Sequence, residues 1–594
     1  MIKERCKLHA AEDILNANKI RNKVVSALRA SRKRYVREKI APLFKSDSHK
    51  WHDAVKRLSG KKKGNEIRIN NPDDSLIKAS EVNEFFTQIC TTHPTVSDEQ
   101  MCDIINSNSS DEIVEVSEMA VHCAIGRLRN NCASYPGELP VKLLKEYSPF
   151  LAKPIASVIN QCFSEQSFPK MWKAAYVRVI PKVKTPESCD QLRPISITPN
   201  LAKVAEGFIY HSLLGKIAPV IDPYQYGCIR GSSTSIYLVR MYHLIVQWLD
   251  TSNSTVDLFL ADYRKAFDLI KHKTALTNLK ETGAKTQILL LVREFLQARR
   301  QSVYPLFAED TCSEWSELTC GCPQGTKLAA LLFLAVINPI LAEFEERFKF
   351  VDDLSAFLKY IVENKVTKQQ SDPTFFTDFI NQCKSNSLQV NEHKSKVLRF
   401  NPLKRDITIP DALFPIVSSA TILGVTFTSD CSFKLHVDNI VHKGHYSIQS
   451  LTSMRRLGFS DRQLLLAYTT YIRPFLEYCC LVWGPQTQNI AYMADELEHV
   501  QKHATRIILG PSFSSYESAP ELLNLPTLFD RRHELIMKFG KSLLTNEKYR
   551  SILPPSASIS RYTRHYNKLE PVKCRTNRFA NSFVPYFVRA FNKC

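Results

Sequence analysis

Phe348-Lys349-Phe350-Val351-Asp352-Asp353-Leu354-Ser355-Ala356-Phe357 is the stretch on which the reading of this chain turns. Two short apolar runs flank an adjacent pair of carboxylates. Phe348, Phe350 and Val351 on one side, and Leu354, Ala356 and Leu358 on the other, predict two strands with the acidic pair in the turn. A plain hairpin favours Asn-Gly or Asp-Gly at such a turn, whereas two like charges repel. A divalent cation would make the arrangement favourable. An isolated Asp-Asp pair usually marks only a solvated turn, but here a third carboxylate stands upstream. Asp262 follows Val256-Asp257-Leu258-Phe259-Leu260-Ala261, which reads as a buried strand. The carboxyl end of a buried strand is a common place for site residues. Three carboxylates drawn from a strand end and a hairpin can hold two Mg²⁺ ions roughly 4 Å apart, which clamp the attacking and leaving oxygens of a phosphoryl transfer.

Further blocks follow in order. Leu192-Arg193-Pro194-Ile195-Ser196 and Gln225-Tyr226-Gly227 precede the strand, the second followed by Gly231-Ser232-Ser233-Thr234. After Asp262-Tyr263-Arg264-Lys265-Ala266-Phe267-Asp268 comes Gly321-Cys322-Pro323-Gln324-Gly325. Beyond the acidic pair stand Asn391-Glu392-His393-Lys394-Ser395, Leu423-Gly424-Val425, Tyr471-Ile472-Arg473-Pro474 and Arg575-Thr576-Asn577-Arg578-Phe579. In this order the blocks resemble the reverse transcriptases of non-LTR (LINE-type, jockey-like) retrotransposons, over most of the chain.

The resemblance implies an α+β fold of the right-hand polymerase type, with fingers, palm and a helical thumb. It implies an RNA-directed DNA polymerase that joins dNTPs to a primer 3′-hydroxyl by two-metal chemistry, with Mg²⁺ or Mn²⁺ as cofactor. The implied partners are an RNA template, a DNA primer or target, and dNTPs. Asp262 and Asp352 are the expected bridging ligands and Asp353 the third carboxylate. Asp268 is expected to be structural, since Asp is a common helix cap. Phe267 is the expected steric gate against a ribose 2′-hydroxyl. Lys182 and Arg193 are expected to grip the triphosphate, Arg by a bidentate fork and Lys as a point charge. Gln324 and Gly325 are expected beside the nascent base pair, where glycine lets backbone approach a ligand. Lys394 is expected to reach the β- and γ-phosphates. The chain departs from the family at Ala329-Ala330, where Gly-Pro or Gly-Ser is usual, so the loop ahead of this helix is expected to be altered.

Lys+Arg number 79 against 59 Asp+Glu, a net charge of +20 over 594 residues, which suits a polyanionic partner. The 44% hydrophobic content excludes a disordered basic tail. The 17 cysteines form no disulfide framework and no zinc spacing, which places them as free thiols in a reducing compartment, nucleus and cytoplasm. The longest apolar run, Leu328–Leu341, is too short to span a bilayer and reads as a buried helix, so no membrane partner is expected.

The expected organisation is a basic helical N-terminal extension over 1–75, a helical region leading into the fingers over 76–175, fingers and palm over 176–427, a helical thumb over 428–510, and a region of unknown role over 511–594. In the extension Ile20, Val24, Val25, Leu28 and Tyr35 form an apolar stripe amid Arg29, Arg32, Lys33, Arg34, Arg37 and Lys39. That pattern reads either as a nucleic-acid-contacting arm or as a solvated helix face. The residues ahead of Tyr176 are too few to include the endonuclease that such elements carry, so extension is expected only from a primer end already present. The alternative reading is a catalytically dead retroelement remnant that only binds RNA or DNA; three intact carboxylates favour the enzyme. A splicing- or telomere-associated reverse transcriptase fits the later blocks less well.

Overall fold

The computed structural model describes residues 13–58, 66–70, 75–105, 114–130, 133, 135–251, 254–363, 366–369, 374–402, 413–557 and 568–593. The Lys61-Lys62-Lys63 run of the N-terminal region lies outside them.

The centre is a sheet built on β3 (Ser254–Ala261). β3 runs antiparallel to β7 (Asp353–Glu363) on one side and to β9 (Lys396–Phe400) on the other. β6 (Arg347–Phe350) closes one edge against β7, and β10 (Ile416–Val417) lies on β9 at the other. Both faces are covered, which explains why β3 reads as a continuous apolar run rather than an alternation. Val256 and Leu258 point into one core with Tyr237 and Val246 of the Thr234–Leu249 helix. Phe259 and Ala261 point into a second core with residues of the His272–Glu281, Lys327–Ile337 and Phe375–Ser385 helices. The one charge inside β3, Asp257, is matched across the ladder by Arg399, whose Nε and Nη2 donate to its two oxygens at 2.8 and 2.9 Å.

A second sheet has the order β2-β1-β4-β5, from β1 (Ala174–Pro181), β2 (Leu192–Ile197), β4 (Arg299–Val303) and β5 (Ser316–Leu318). The Ala79–Cys90 helix covers one face, packing Val82 and Phe86 with Val177, Val179 and Val303. Ahead of β1 lie the helices Ala79–Cys90, Asp98–Ile105 and Glu118–Gly126, and the stretch read as one helix from Leu139 to Phe163 is two, Val141–Glu146 and Ser148–Glu165. Gly137, with φ +76°, turns the chain ahead of them.

Helices follow from Lys434–Arg456 to Ala491–Leu509. Gly444 lets the two close, since a Cβ there would lie 2.9 Å from Val500 Cγ1. The N-terminal region is more than a solvated arm. Val36, Ile40, Trp51 and Val55 are buried in this helical core, and His52 Nδ1 pairs with Tyr471 Oη at 2.7 Å. Within the Ile14–Tyr35 helix Val25, Leu28 and Tyr35 stay exposed, while Ile20 and Val24 are half-buried. The tail also joins this core. Phe583 and Phe587 of the Phe583–Lys593 helix are buried there, and Asp250 accepts from the Arg575 and Thr576 amides at 2.8 and 2.7 Å. Among the described residues no helix is long and apolar enough to cross a membrane.

Candidate active site

The pairing of β3 with β7 brings the carboxylates together. Ala261 stands opposite Leu354, so extending the register by one residue sets Asp262 across from Asp353. Phe350 pairs with Asp353, which leaves Val351 and Asp352 as the turn. The turn therefore holds one carboxylate rather than both: Asp353 opens β7. Hydrogen-bond pairing at Phe350 fixes this register, which apolar spacing alone leaves free. Val351 has φ +58°, a strained conformation for a β-branched residue.

Asp262 is fixed by the segment after the hairpin. Asn391 donates from Nδ2 to Asp262 Oδ2 at 2.9 Å and from its amide to the Asp262 carbonyl at 2.8 Å, while Ser395 Oγ accepts the Asp262 amide at 3.1 Å. Asp352 and Asp353 are open to water, yet protein surrounds their carboxylates on most sides. Burial, then the nearby Asp352 and Asp262 charges, push Asp353 up to about 6. Asp352 is raised by burial and by Asp262, with Arg193 opposing.

A cleft of about 1340 Å³ opens beside these groups. Asp262, Asp352, Lys182, Arg193, Phe267, Gln324 and Lys394 all line it; Asp353 and Gly325 do not. Lys182 lies on the loop between β1 and β2 and donates through Nζ to the Asp190 carbonyl at 2.8 Å. Burial, then Lys265, Arg193 and Lys394, press its ammonium below the ordinary value, and all four cations line the cleft. Lys265, which sequence reasoning passed over, pairs with Asp190 at 2.9 Å and lies 4.0 Å over the Phe85 ring. Phe267 is half-buried and stacked on Phe333 at 4.9 Å between ring centroids.

Asp268 is not a helix cap: the next helix begins at His272, after Lys271. It is buried and accepts from Gln324 Nε2 at 2.8 Å. The Gln324 carbonyl in turn accepts the Ser196 amide of β2 at 2.8 Å. Gly321, with φ +77°, passes so close that a Cβ would lie 2.5 Å from the Asp268 carbonyl oxygen. The following helix starts at Lys327, capped by Thr326, and buried Glu206 accepts the Leu328 amide at 2.7 Å. Ala329 and Ala330 fall in its first turn, and the Thr326 hydroxyl accepts the Ala329 amide at 3.3 Å.

Carboxylate oxygens are the donors that Mg²⁺ and Mn²⁺ prefer. Among the described residues no three His, Cys, Asp or Glu side chains converge as a finished metal cage. Mg²⁺ is ordinarily held by one or two carboxylates, with water and substrate phosphates filling the remaining positions. The donor set fits that open kind of site, and the mutual repulsion of its carboxylates is what a cation would relieve.

Next to the loop lies a feature that sequence reasoning missed. The uncovered face of the second sheet carries Tyr176, Tyr304 and Trp315, with Tyr135 against them. Tyr176 lies 5.0 Å from Tyr304, 4.9 Å from Trp315 and 5.1 Å from Tyr135 between centroids. Arg300 stands 6.0 Å over the Trp315 ring, and Arg178 is exposed on the same face of β1. Alternation in Tyr176-x-Arg178 and Arg300-x-Ser302-x-Tyr304 was the available signal.

Residues 180–427 match the family profile described as reverse transcriptase (RNA-dependent DNA polymerase). That segment is the part of the chain similar to a reverse transcriptase domain. The chain is 24% identical over 408 residues to the RNA-directed DNA polymerase from mobile element jockey of Drosophila melanogaster, covering 66% of this chain and 43% of that protein. It is 23% identical over 349 residues to the probable RNA-directed DNA polymerase from transposon BS of the same fly, covering 56% of this chain and 38% of that protein. The chain thus spans less than half the length of these relatives.

Proposed function

We propose that this chain is a reverse transcriptase that copies an RNA template by adding dNTPs to a DNA primer end, in a right-hand layout. The second sheet and its covering helix are the fingers, the β3-centred sheet is the palm, and the Lys434–Leu509 helices are the thumb. The observation that carries the reading is the register that sets Asp262 across from Asp353, beside the turn that holds Asp352, at a cleft also lined by Lys182, Arg193, Lys265 and Lys394.

Asp262, Asp352 and Asp353 would hold two Mg²⁺ or Mn²⁺ ions. When bound, these activate the primer hydroxyl and offset charge on the leaving pyrophosphate. The residues of the chain do the remaining work. These cations bind and orient the triphosphate, and such positioning supplies much of phosphoryl-transfer catalysis. Phe267, braced by Phe333, stands where a 2′-hydroxyl would be excluded. Gln324, tied to Asp268 and to β2, backs the nascent pair. Tyr176, Tyr304 and Trp315, flanked by arginines, suit unpaired bases.

Primer extension on an RNA template tests the reading. The purified chain is expected to incorporate dNTPs with Mg²⁺ or Mn²⁺, and Asp262→Asn or Asp352→Asn to abolish extension while template–primer binding persists. Binding without extension in the wild-type chain would instead identify a remnant that only binds nucleic acid.

A further inference from the structure

We propose that Gln225 is a positioning residue for the reaction, acting through the backbone of the hairpin that carries Asp352 and Asp353. This rests on the polymerase reading above. The Tyr224–Gly227 segment lies beside β6 as a short parallel partner, bridged at Gln225 and Lys349. The Tyr226 amide donates to the Lys349 carbonyl at 2.8 Å, and the Lys349 amide to the Tyr224 carbonyl at 3.0 Å. Where this ladder ends, the Gln225 side chain continues it. Its Oε1 accepts the Gly227 amide at 2.9 Å and the Val351 amide at 3.1 Å.

Those two amides belong to a residue in a strained conformation and to the glycine packed against it. Val351 is in the left-handed region. Gly227 touches it so closely that a Cβ would lie 2.5 Å from the Val351 amide nitrogen and 2.9 Å from the Phe350 carbonyl carbon. A strained turn persists only where its surroundings over-determine it. Here a single buried oxygen binds both sides of the close approach. The next residue in the chain is Asp352, so rotation at Val351 moves that carboxylate directly. Gln225 touches no cleft group itself and is absent from the cleft lining. Its influence on chemistry passes through one backbone turn. An amide side chain supplies the acceptor without adding a charge beside two carboxylates, which Glu would do.

The test compares Gln225→Met, which keeps length and loses the acceptor, with Gln225→Glu, which keeps an acceptor oxygen. Both are screened for an unchanged thermal midpoint and template–primer affinity. Gln225→Met is expected to lower kcat for dNTP addition by 10- to 100-fold with KM for dNTP within threefold, and Gln225→Glu to recover part of that loss. Hydrogen–deuterium exchange read by mass spectrometry supplies a measure independent of turnover. The peptide holding Val351 should exchange faster in Gln225→Met, while peptides of β3 and the thumb helices stay unchanged. Unaltered exchange at Val351, or equal kcat for Gln225→Met and wild type, overturns the proposal. A wild-type chain that extends no primer but whose Val351 peptide still responds to Gln225→Met refutes the polymerase reading and leaves the structural coupling standing.

Discussion

Replacing Lys349 with methionine probes the buried ion cluster beneath the acidic turn. Lys349 is fully buried, with Nζ 2.6 Å from Asp222 Oδ2 and donating to the Asn338 carbonyl at 2.9 Å. Arg347 grips the same carboxylate through Nε and Nη2 at 2.7 and 3.0 Å. Burial pulls the Lys349 ammonium down to about 8, with Asp222 opposing. Burial alone would raise Asp222, but Arg347 and Lys349 outweigh it and hold the carboxyl below its ordinary value. Breaking an isolated buried pair costs about 3–5 kcal/mol, because the surviving charge is left alone. In Lys349→Met, Asp222 keeps Arg347, so the loss falls toward that of one charge-assisted hydrogen bond, about 2 kcal/mol. Asp222→Ala leaves two buried cations without a counter-charge and should reach about 4 kcal/mol. Urea unfolding of both variants at pH 7 measures the difference. A pH series then checks its origin. The unfolded lysine keeps its proton to about pH 10.4, whereas the folded one loses it near 8. Between those values the unfolded chain binds more protons, so wild type gains stability from this group as pH rises and Lys349→Met does not. The gap in favour of wild type should therefore widen from about pH 8 to 10. Equal costs for the two variants, or a gap that narrows with pH, would refute the charge cluster as the anchor of β6.

Two further outcomes follow, one from the cleft and one from the aromatic face of the second sheet. Phe267→Ala should raise ribonucleotide over deoxyribonucleotide incorporation in single-turnover extension, and unchanged discrimination in a folded variant would leave the ring as packing against Phe333. Trp315→Ala should weaken binding of a primer–template with an unpaired template overhang by roughly tenfold, since base–aromatic stacking contributes about 1–3 kcal/mol per base. Binding of a blunt duplex, read by fluorescence anisotropy, should not change; equal loss on both would place Trp315 outside the path of the overhang.

What could be read from the sequence divides by the range of the interactions involved. β3, the long apolar helix and the acidic hairpin are local patterns, and each stands where apolar spacing puts it. The register of the hairpin was less legible. Whether Asp353 sits in the turn or opens β7 depends on the pairing of Phe350 and on Gln225, more than a hundred positions away. Asp268 shows the same limit: its partner, Gln324, comes from a distant loop, so an acidic residue ahead of a helix read as a cap. The basic N-terminal segment was read by charge, yet Trp51 and Val55 are buried in a core assembled from the other end of the chain. The partners around Ala329-Ala330 are equally distant in sequence: Glu206 accepts the Leu328 amide and Asp268 accepts from Gln324.

The charge arrangement of the cleft bears on how its substrates can enter. The carboxylates beside it raise one another's proton affinity. The same cleft is lined by Lys182 with Lys265, Arg193 and Lys394, cations that depress the Lys182 ammonium. The carboxylates repel one another and so do the cations, with Arg193 partly offsetting the charge of Asp352 and Asp190 pairing with Lys265. A triphosphate alone would satisfy the cations but bring negative charge toward Asp262 and Asp352. A cation alone would relieve the acids but bring positive charge toward Arg193. A nucleotide that arrives with its divalent cation satisfies both sets of charges together, and each component strengthens the hold on the other. On the proposed function, metal and nucleotide affinity are expected to be coupled, and Arg193→Gln should weaken both that coupling and nucleotide binding, read by nucleotide titration at varied Mg²⁺.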